Sequence, residues 1–146
     1  MISFVDITPL NRQKCAELSV WPEQASFVAS NAESLAEAEA GEGMTPVGIS
    51  ADGCLVGFAM YGNDPDKGKA WIIRFMIDKA RQRRGYGAQA LDKLIKLLRE
   101  KYGNIDIRLC VEPENEVARG LYGKFGFAPT GEVWDNELIF ELRKKT

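Results

Sequence analysis

Apolar and polar positions recur along the chain with periods that mark out eleven elements. Residues 2–8 (ISFVDIT) read as a strand, and a short helix follows Pro9 through Leu18. The stretch SNAESLAEAEA opens with a capping box, Ser30 and Glu33. It continues in strong helix formers until Gly41 and Gly43 end it. PVGIS and CLVGFAMYG flank Asp52-Gly53, a two-residue hairpin signal. Residues 69–78 (KAWIIRFMID) are apolar apart from their ends and Arg74, the pattern of a central strand. A helix is expected from Gly85 to about Lys101. Leu91, Leu94, Ile95, Leu98 and Tyr102 form its buried stripe, and Gly103 ends it. IDIRLCVE alternates as a strand, Asn115 caps a helix through Phe125, and Gly126 stops that helix. FAPTGEVW and ELIFELR flank Asp135-Asn136, a second hairpin. The order is β-α-α-β-β-β-α-β-α-β-β, with antiparallel hairpins towards both ends and a β-α-β unit between them. It predicts one α/β (α+β) domain over residues 1–146 with a mixed sheet.

Length and composition agree with that picture. The chain has 146 residues, enough to bury a core without disulfides or metals. No apolar run reaches 18 residues, and the first residues lack a basic stretch followed by an apolar one. Neither a membrane span nor an export leader is expected. Cys15, Cys54 and Cys110 are scattered, and no C-x-x-C pair is present, which fits a reducing cytoplasm and small core residues. There is no histidine. That excludes a Ser-His-Asp triad, a Cys-His dyad and an H-E-x-x-H zinc site, so no metal is expected. Proton transfer is left to Asp, Glu, Tyr, Lys, Cys, backbone or water.

The charge is unevenly spread. Residues 1–66 hold two basic and ten acidic side chains, with no Lys or Arg from position 15 to 66, whereas residues 67–146 hold 17 basic and 11 acidic ones. This asymmetry suggests two partners of opposite sign, or solvated faces clustered by chance.

The stretch GYGAQA, residues 85–90, matches the dinucleotide pattern G-x-G-x-x-A, and Asp106 lies about twenty residues further on. Geometry argues against that reading. A ribose-binding acid belongs at the end of the next strand, and Asp106 opens its strand. Six residues also separate Asp78 from Gly85, where the motif wants the glycines at once. A Walker loop fails because no Gly-Lys-Ser/Thr follows.

The whole loop Gln82-Arg83-Arg84-Gly85-Tyr86-Gly87 fits Q/R-x-x-G-x-G/A. Consecutive N–H groups at a helix N-terminus bind phosphate oxygens, and Arg83 and Arg84 add charge-assisted contacts. A second pattern, independent of the first, is Asn115-x-x-Ala118-x-x-x-Tyr122-x-Lys124-x-Gly126-Phe127. With these two motifs and this element order, essentially the whole chain resembles the GNAT N-acetyltransferase superfamily. The resemblance implies a six- to seven-stranded, mostly antiparallel mixed sheet flanked by about four helices.

It also implies transfer of an acetyl group from acetyl-CoA to an amine. Gln82 to Ala88 would then receive the pyrophosphate, and Asn115, Tyr122 and Lys124 would line the cofactor site. The family's strand bulge falls, by spacing from Gln82, at Phe75-Met76-Ile77. Direct attack by the amine is the simplest mechanism, since no histidine can activate Cys110 as a nucleophile. The Ile77 N–H is the expected donor to the oxyanion. Tyr122, a phenol with an ordinary pKa of about 10, is the expected acid for the departing thiolate. The same tyrosine also suits a core position beside Ala118 and Phe125. Glu112 is a candidate to take the amine's proton, with a surface role as its alternative.

The acidic half includes the segment between the first two strands, which in this superfamily helps to form the acceptor site. An acidic wall attracts a polycation. FVASNAESLAEAEA also looks like the corresponding stretch of bacterial spermine/spermidine acetyltransferases. The expected acceptor is therefore a small polyamine, with Glu23, Glu33, Glu37 and Glu39 as candidates to hold its distal ammonium groups. A peptide N-terminus or a lysine is the alternative acceptor, and a CoA-binding sensor the alternative outside enzymes. Nucleic acid and membrane are not expected as partners, since the basic cluster suits CoA and the pI is about 5.3. A homodimer is compatible with the family.

Overall fold

The computed structural model describes residues 1–22, 24, 30–40, 43–64 and 67–146. All eleven expected elements form in the expected order. They are β1 (Ile2–Asp6), α1 (Arg12–Glu17), α2 (Asn31–Ala40), β2 (Met44–Ala51), β3 (Cys54–Asp64), β4 (Lys69–Ile77), α3 (Tyr86–Tyr102), β5 (Asp106–Val111), α4 (Glu116–Lys124), β6 (Ala128–Trp134) and β7 (Glu137–Leu142). The strands make one seven-stranded sheet in the order β1-β2-β3-β4-β5-β7-β6. Every neighbouring pair is antiparallel except β4 and β5, the pair joined by α3 as a crossover.

Local chemistry sets the boundaries. Asp52 and Gly53 have φ of 51° and 86°, and Asp135 and Asn136 have φ of 49° and 64°. Both hairpin turns thus use the left-handed pairs that a two-residue loop requires. The Ser30 hydroxyl accepts from the Glu33 N–H at 3.1 Å, which forms the Ser30 half of the expected capping box. Asn115 accepts from the Ala118 N–H at 3.2 Å and caps α4. The expected stop at Gly41 lies outside the described residues.

The core lies on both faces of the sheet. On one face α3 buries Ala90, Leu91, Leu94, Ile95 and Leu98 against Ile49, Ile72, Ile107 and Leu109. Each of the α3 leucines among these is fully covered, which contributes about 1.5–3 kcal/mol per side chain. On the other face α1 and α2 cover Phe58, Met60 and Met76 with Cys15 and Leu35.

The central strand β4 divides into two parts. It pairs with β5 only from Lys69 to Ile72, opposite Asp106 to Leu109. Beyond Ile72 it keeps β3 as a neighbour but leaves β5, so the sheet opens between the two central strands. The register against β3 jumps from Met60↔Arg74 to Tyr61↔Ile72, leaving Ile73 unpaired. The irregularity is therefore at Ile73, not at Phe75-Met76-Ile77 as the spacing from Gln82 predicts. The extra residue sits where β4 turns away from β5, since a bulge bends its strand. Phe75, Met76 and Ile77 are regularly paired with Ala59, Phe58 and Gly57.

Candidate active site

Strand alternation decides which backbone groups face the opening. The Asp78 N–H donates to Val56 O, on the β3 side, at 2.7 Å. Ile77 and Phe75 therefore turn their N–H and C=O groups the other way, into the gap left by β5. The Ile77 carbonyl accepts from the Gln82 side-chain amide at 3.0 Å, which is consistent with that direction. The Ile77 N–H is left facing the gap.

The loop after β4 builds an anion-binding concavity. A single 3₁₀ turn, Lys79–Arg81, follows Asp78, whose carboxylate caps it through the Ala80 N–H. Arg83 and Gly85 then adopt φ of 65° and 80°, so two of three consecutive residues are left-handed. For Arg83 that conformation costs about 1–2 kcal/mol. Alternation of this kind turns successive N–H groups inward as a nest. α3 begins directly after it, has no side-chain cap and carries no acid in its first turn. The Tyr86, Gly87 and Ala88 N–H groups precede the first helical bond, that of the Gln89 N–H to Gly85 O. α2 and α4 have side-chain caps, whereas α3, the longest helix, presents bare donors and its positive dipole end. Among the described residues, no carboxylate pairs with Lys79, Arg81, Arg83 or Arg84. These are the features a pyrophosphate needs, and the residues fit it.

The opening of the sheet, this loop and α4 together enclose a cleft of about 690 Å³, within the usual range for ligand sites. It brings together Phe75, Met76, Ile77, Gln82, Arg83, Tyr86, Gly87, Asn115 and Tyr122, all of them expected from the sequence. Arg84, Gly85 and Ala88 are exposed and belong to the loop and first turn rather than the cleft wall. Lys124 is exposed on the last turn of α4, away from the wall. The cleft also has a wall that the sequence reading missed: Val20, Trp21 and Gln24 from the connection after α1, and Val117 and Leu121 from α4. Trp21 and Val117 are unusually exposed for apolar residues, which is the signal that marks them.

Tyr122 is buried against Phe127, with ring centroids 5.9 Å apart, and also lines the cleft. The core and cleft readings of this residue are thus both met. Burial pushes its phenol up to about 12, above the ordinary value assumed from sequence.

The acidic side chains expected at an acceptor site are differently placed from the expectation, since none of those among the described residues lines the cleft. Glu37 of α2 is bound by Arg74 at 3.2 Å, and Glu39 by Arg12 at 2.6 Å. The chain's own arginines engage both, which opposes a role for them as open ammonium sites. Glu33 is exposed on α2, and Glu23 lies outside the described residues. Glu112 and Glu137 stand one step beyond the last β5–β7 pair, Val111↔Leu138, on the α2 side of the sheet. Burial raises the Glu137 carboxyl pKa, with Glu112 adding to it and Arg74 opposing. Burial also raises the Cys110 thiol, and Glu137 adds to that, so Cys110 is poorly set to act as a nucleophile. Among the described residues no cluster of acids or cysteines has metal-holding geometry, and no helix is long and apolar enough to cross a membrane.

Residues 10–127 match the model of the acetyltransferase (GNAT) family. The chain belongs to the GNAT acetyltransferase family. As such it is an N-acetyltransferase, and acetyl-CoA is the acetyl donor. Two relatives stand out. A "Spermine/spermidine N(1)-acetyltransferase" of Bacillus subtilis (strain 168) is 36% identical over 138 residues, covering 90% of this chain and 91% of the relative. A "Probable spermine N(1)-acetyltransferase" of Bacillus subtilis subsp. natto (strain BEST195) is 37% identical over 138 residues, with the same coverage. Among solved structures, the PaiA N-acetyltransferase from Thermoplasma acidophilum in complex with coenzyme A aligns with a TM-score of 0.73. It is 20% identical and covers 98% of this chain and 99% of that one, a likeness of fold. This acetyltransferase thus has the family's fold, and in it the sheet opens between β4 and β5 with the loop motif at the mouth of that opening.

Proposed function

We propose that this acetyltransferase acetylates a primary amine of a small polyamine of the spermine/spermidine type, by direct attack. The observation that carries the reading is the likeness to the two Bacillus enzymes over nine-tenths of the chain. The distribution of charge supports it. Arg81 and Arg83 line the cleft with no carboxylate partner among the described residues, and Glu112 and Glu137 lie just beyond the end of the β5–β7 pairing, close enough to each other and to Arg74 to interact. A polycation is drawn to the second and an anionic donor to the first.

When bound, acetyl-CoA supplies a thioester carbonyl that an amine can attack. The loop N–H groups of residues 85–88, with Arg83 and Arg84, hold its pyrophosphate. The open backbone edge of Phe75–Ile77 holds its amide arm. The Ile77 N–H donates to the carbonyl oxygen on which charge develops. Tyr122 gives its proton to the leaving sulfur. A phenol near 12 is a weak acid towards a thiol group of ordinary pKa. The same burial disfavours a thiolate there too, so both groups shift in one direction. Glu137, with Glu112 beside it, takes the proton from the incoming ammonium group.

The test is release of CoA thiol from acetyl-CoA with spermine, spermidine, a diamine, lysine, a peptide and an aminoglycoside as acceptors. Spermine or spermidine should exceed every monoamine in kcat/KM by at least tenfold. Release with the peptide alone would discard the polyamine and retain the transferase.

A further inference from the structure

We infer that Gln24 is a positioning residue. With Gln82 it forms an amide pair that fixes the Ile77 backbone, so that the Ile77 N–H is aimed at the reacting carbonyl. The inference rests on the assignment of that N–H as the oxyanion donor.

Ile77 lies in the part of β4 that has no β5 neighbour, so no strand can satisfy its carbonyl. Gln82 does so instead, donating from Nε2 at 3.0 Å. The second proton on that nitrogen goes to Gln24 Oε1, also at 3.0 Å, and Gln24 Nε2 returns a hydrogen bond to Gln82 Oε1 at 3.3 Å. Both donors of Gln82 are therefore consumed inside the protein, and none remains for a phosphate. This departs from the direct pyrophosphate contact that the loop motif implies. Gln82 acts on the backbone of β4.

Gln24 is in turn held in place. Its Oε1 also accepts from the Trp21 N–H at 3.1 Å. The connection that carries it is tied to the end of β4 at Ser19. The Ser19 N–H donates to the Asp78 carboxylate at 2.9 Å, and the Lys79 N–H donates to Ser19 O at 2.8 Å. The peptide between Ile77 and Asp78 is thus gripped on both sides, by Val56 O on its N–H and by Gln82 on its C=O. An oxyanion donor acts only when it sits about 2.7–3.1 Å from the position of the charge, and a free edge strand does not hold a group to that tolerance. The amide pair supplies the rigidity that β5 supplies elsewhere.

The test compares Gln24→Leu, Gln24→Glu and Gln82→Ala in the full chain, reading kcat, KM for the amine and the Kd of CoA. Gln24→Leu should lower kcat about tenfold while leaving the CoA Kd within about threefold, a smaller loss than the 10²–10³ seen when an oxyanion donor is removed outright. Gln24→Glu keeps the accepting contacts to Trp21 and Gln82 but loses the hydrogen bond returned to Gln82 Oε1, and should recover only part of the kcat lost in Gln24→Leu. Gln82→Ala should lower kcat at least as much as Gln24→Leu, again with CoA binding retained. Wild-type kcat in Gln24→Leu, or equal losses in Gln24→Leu and Gln24→Glu, overturns the inference. So does a Gln82→Ala variant that loses CoA affinity with kcat intact, because Gln82 would then be a phosphate ligand. Ile77→Pro tests the underlying assignment separately, since proline removes the N–H at an edge position where it is tolerated. Full turnover in Ile77→Pro removes Ile77 as the donor. Loss of turnover there, with the unfolding transition and the CoA Kd as in the wild type and with Gln24→Leu unaffected, keeps the donor and removes only the amide pair.

Discussion

The two halves of β4 have nearly the same composition and opposite duties. From Lys69 to Ile72 the strand is paired on both sides, and its buried residues, Ala70 and Ile72, are core. From Arg74 to Ile77, beyond the unpaired Ile73, it is paired on one side, and Phe75, Met76 and Ile77 line a cleft. Both halves are apolar, so hydrophobicity alone does not separate stability from chemistry here. Pairing does. Where the hydrogen-bonding edge is closed the strand holds the sheet together, and where it is open the edge lines the cleft to which we assign the acetyl donor.

Substitutions should separate the halves. The largest effect is expected at the loop that the open half leads into. Gly85→Val places a β-branched residue at φ of 80°, a conformation such residues rarely adopt, and should abolish CoA binding in a calorimetric titration. Retained binding would detach the loop from the donor site. Tyr122→Phe comes next. It should lower kcat about 10²-fold, in line with the loss of a general acid, with the CoA Kd within about twofold. A near-normal rate would remove Tyr122 as the acid. In the closed half, Ile72→Ala should cost about 2–4 kcal/mol in denaturant unfolding, with kcat/KM per folded molecule unchanged. A selective loss of turnover would blur the distinction between the halves.

The smallest effect concerns the closed end of the strand, where Lys69 pairs with Asp106 at 3.0 Å and Glu141 at 3.1 Å. Asp106 is held below its ordinary 3.8 by the Lys144 backbone N–H and then by Lys69. Burial works to raise Glu141, yet it is held below 4.5 by Arg108 and Lys69. Folded pKa values lower than the unfolded ones give stability that is present above about pH 4.5 and lost as pH falls through the folded values. Lys69 is raised, chiefly by Asp106, so its share is present below its ordinary 10.5 and lost above it. Stability against heat should therefore fall on acidification below about pH 4, and the Lys69→Met variant should show a flatter acid limb.

Much of the fold was legible because local rules govern it. The hairpins at Asp52-Gly53 and Asp135-Asn136, the stripe on α3 and the Asn115 cap each depend on a few neighbouring residues. The site was legible where a contiguous motif builds it, from Gln82 to Gly87 and from Asn115 to Tyr122. What escaped depends on distant partners. The bulge at Ile73 follows from the divergence of β5, a strand that begins only at Asp106. Arg74 capturing Glu37, and Gln24 pairing with Gln82, join segments with no shared pattern. The phenol of Tyr122 could not be read as shifted until its burial was visible.

The opening in the sheet also bears on solubility. An unpaired strand edge on the rim of a sheet is a template for pairing with other chains. Here the unpaired edge of β4 lies in the interior of a seven-stranded sheet, recessed between β4 and the diverging β5. The fold thereby keeps its open backbone edge inside the sheet and off the rim, where neighbouring chains pair.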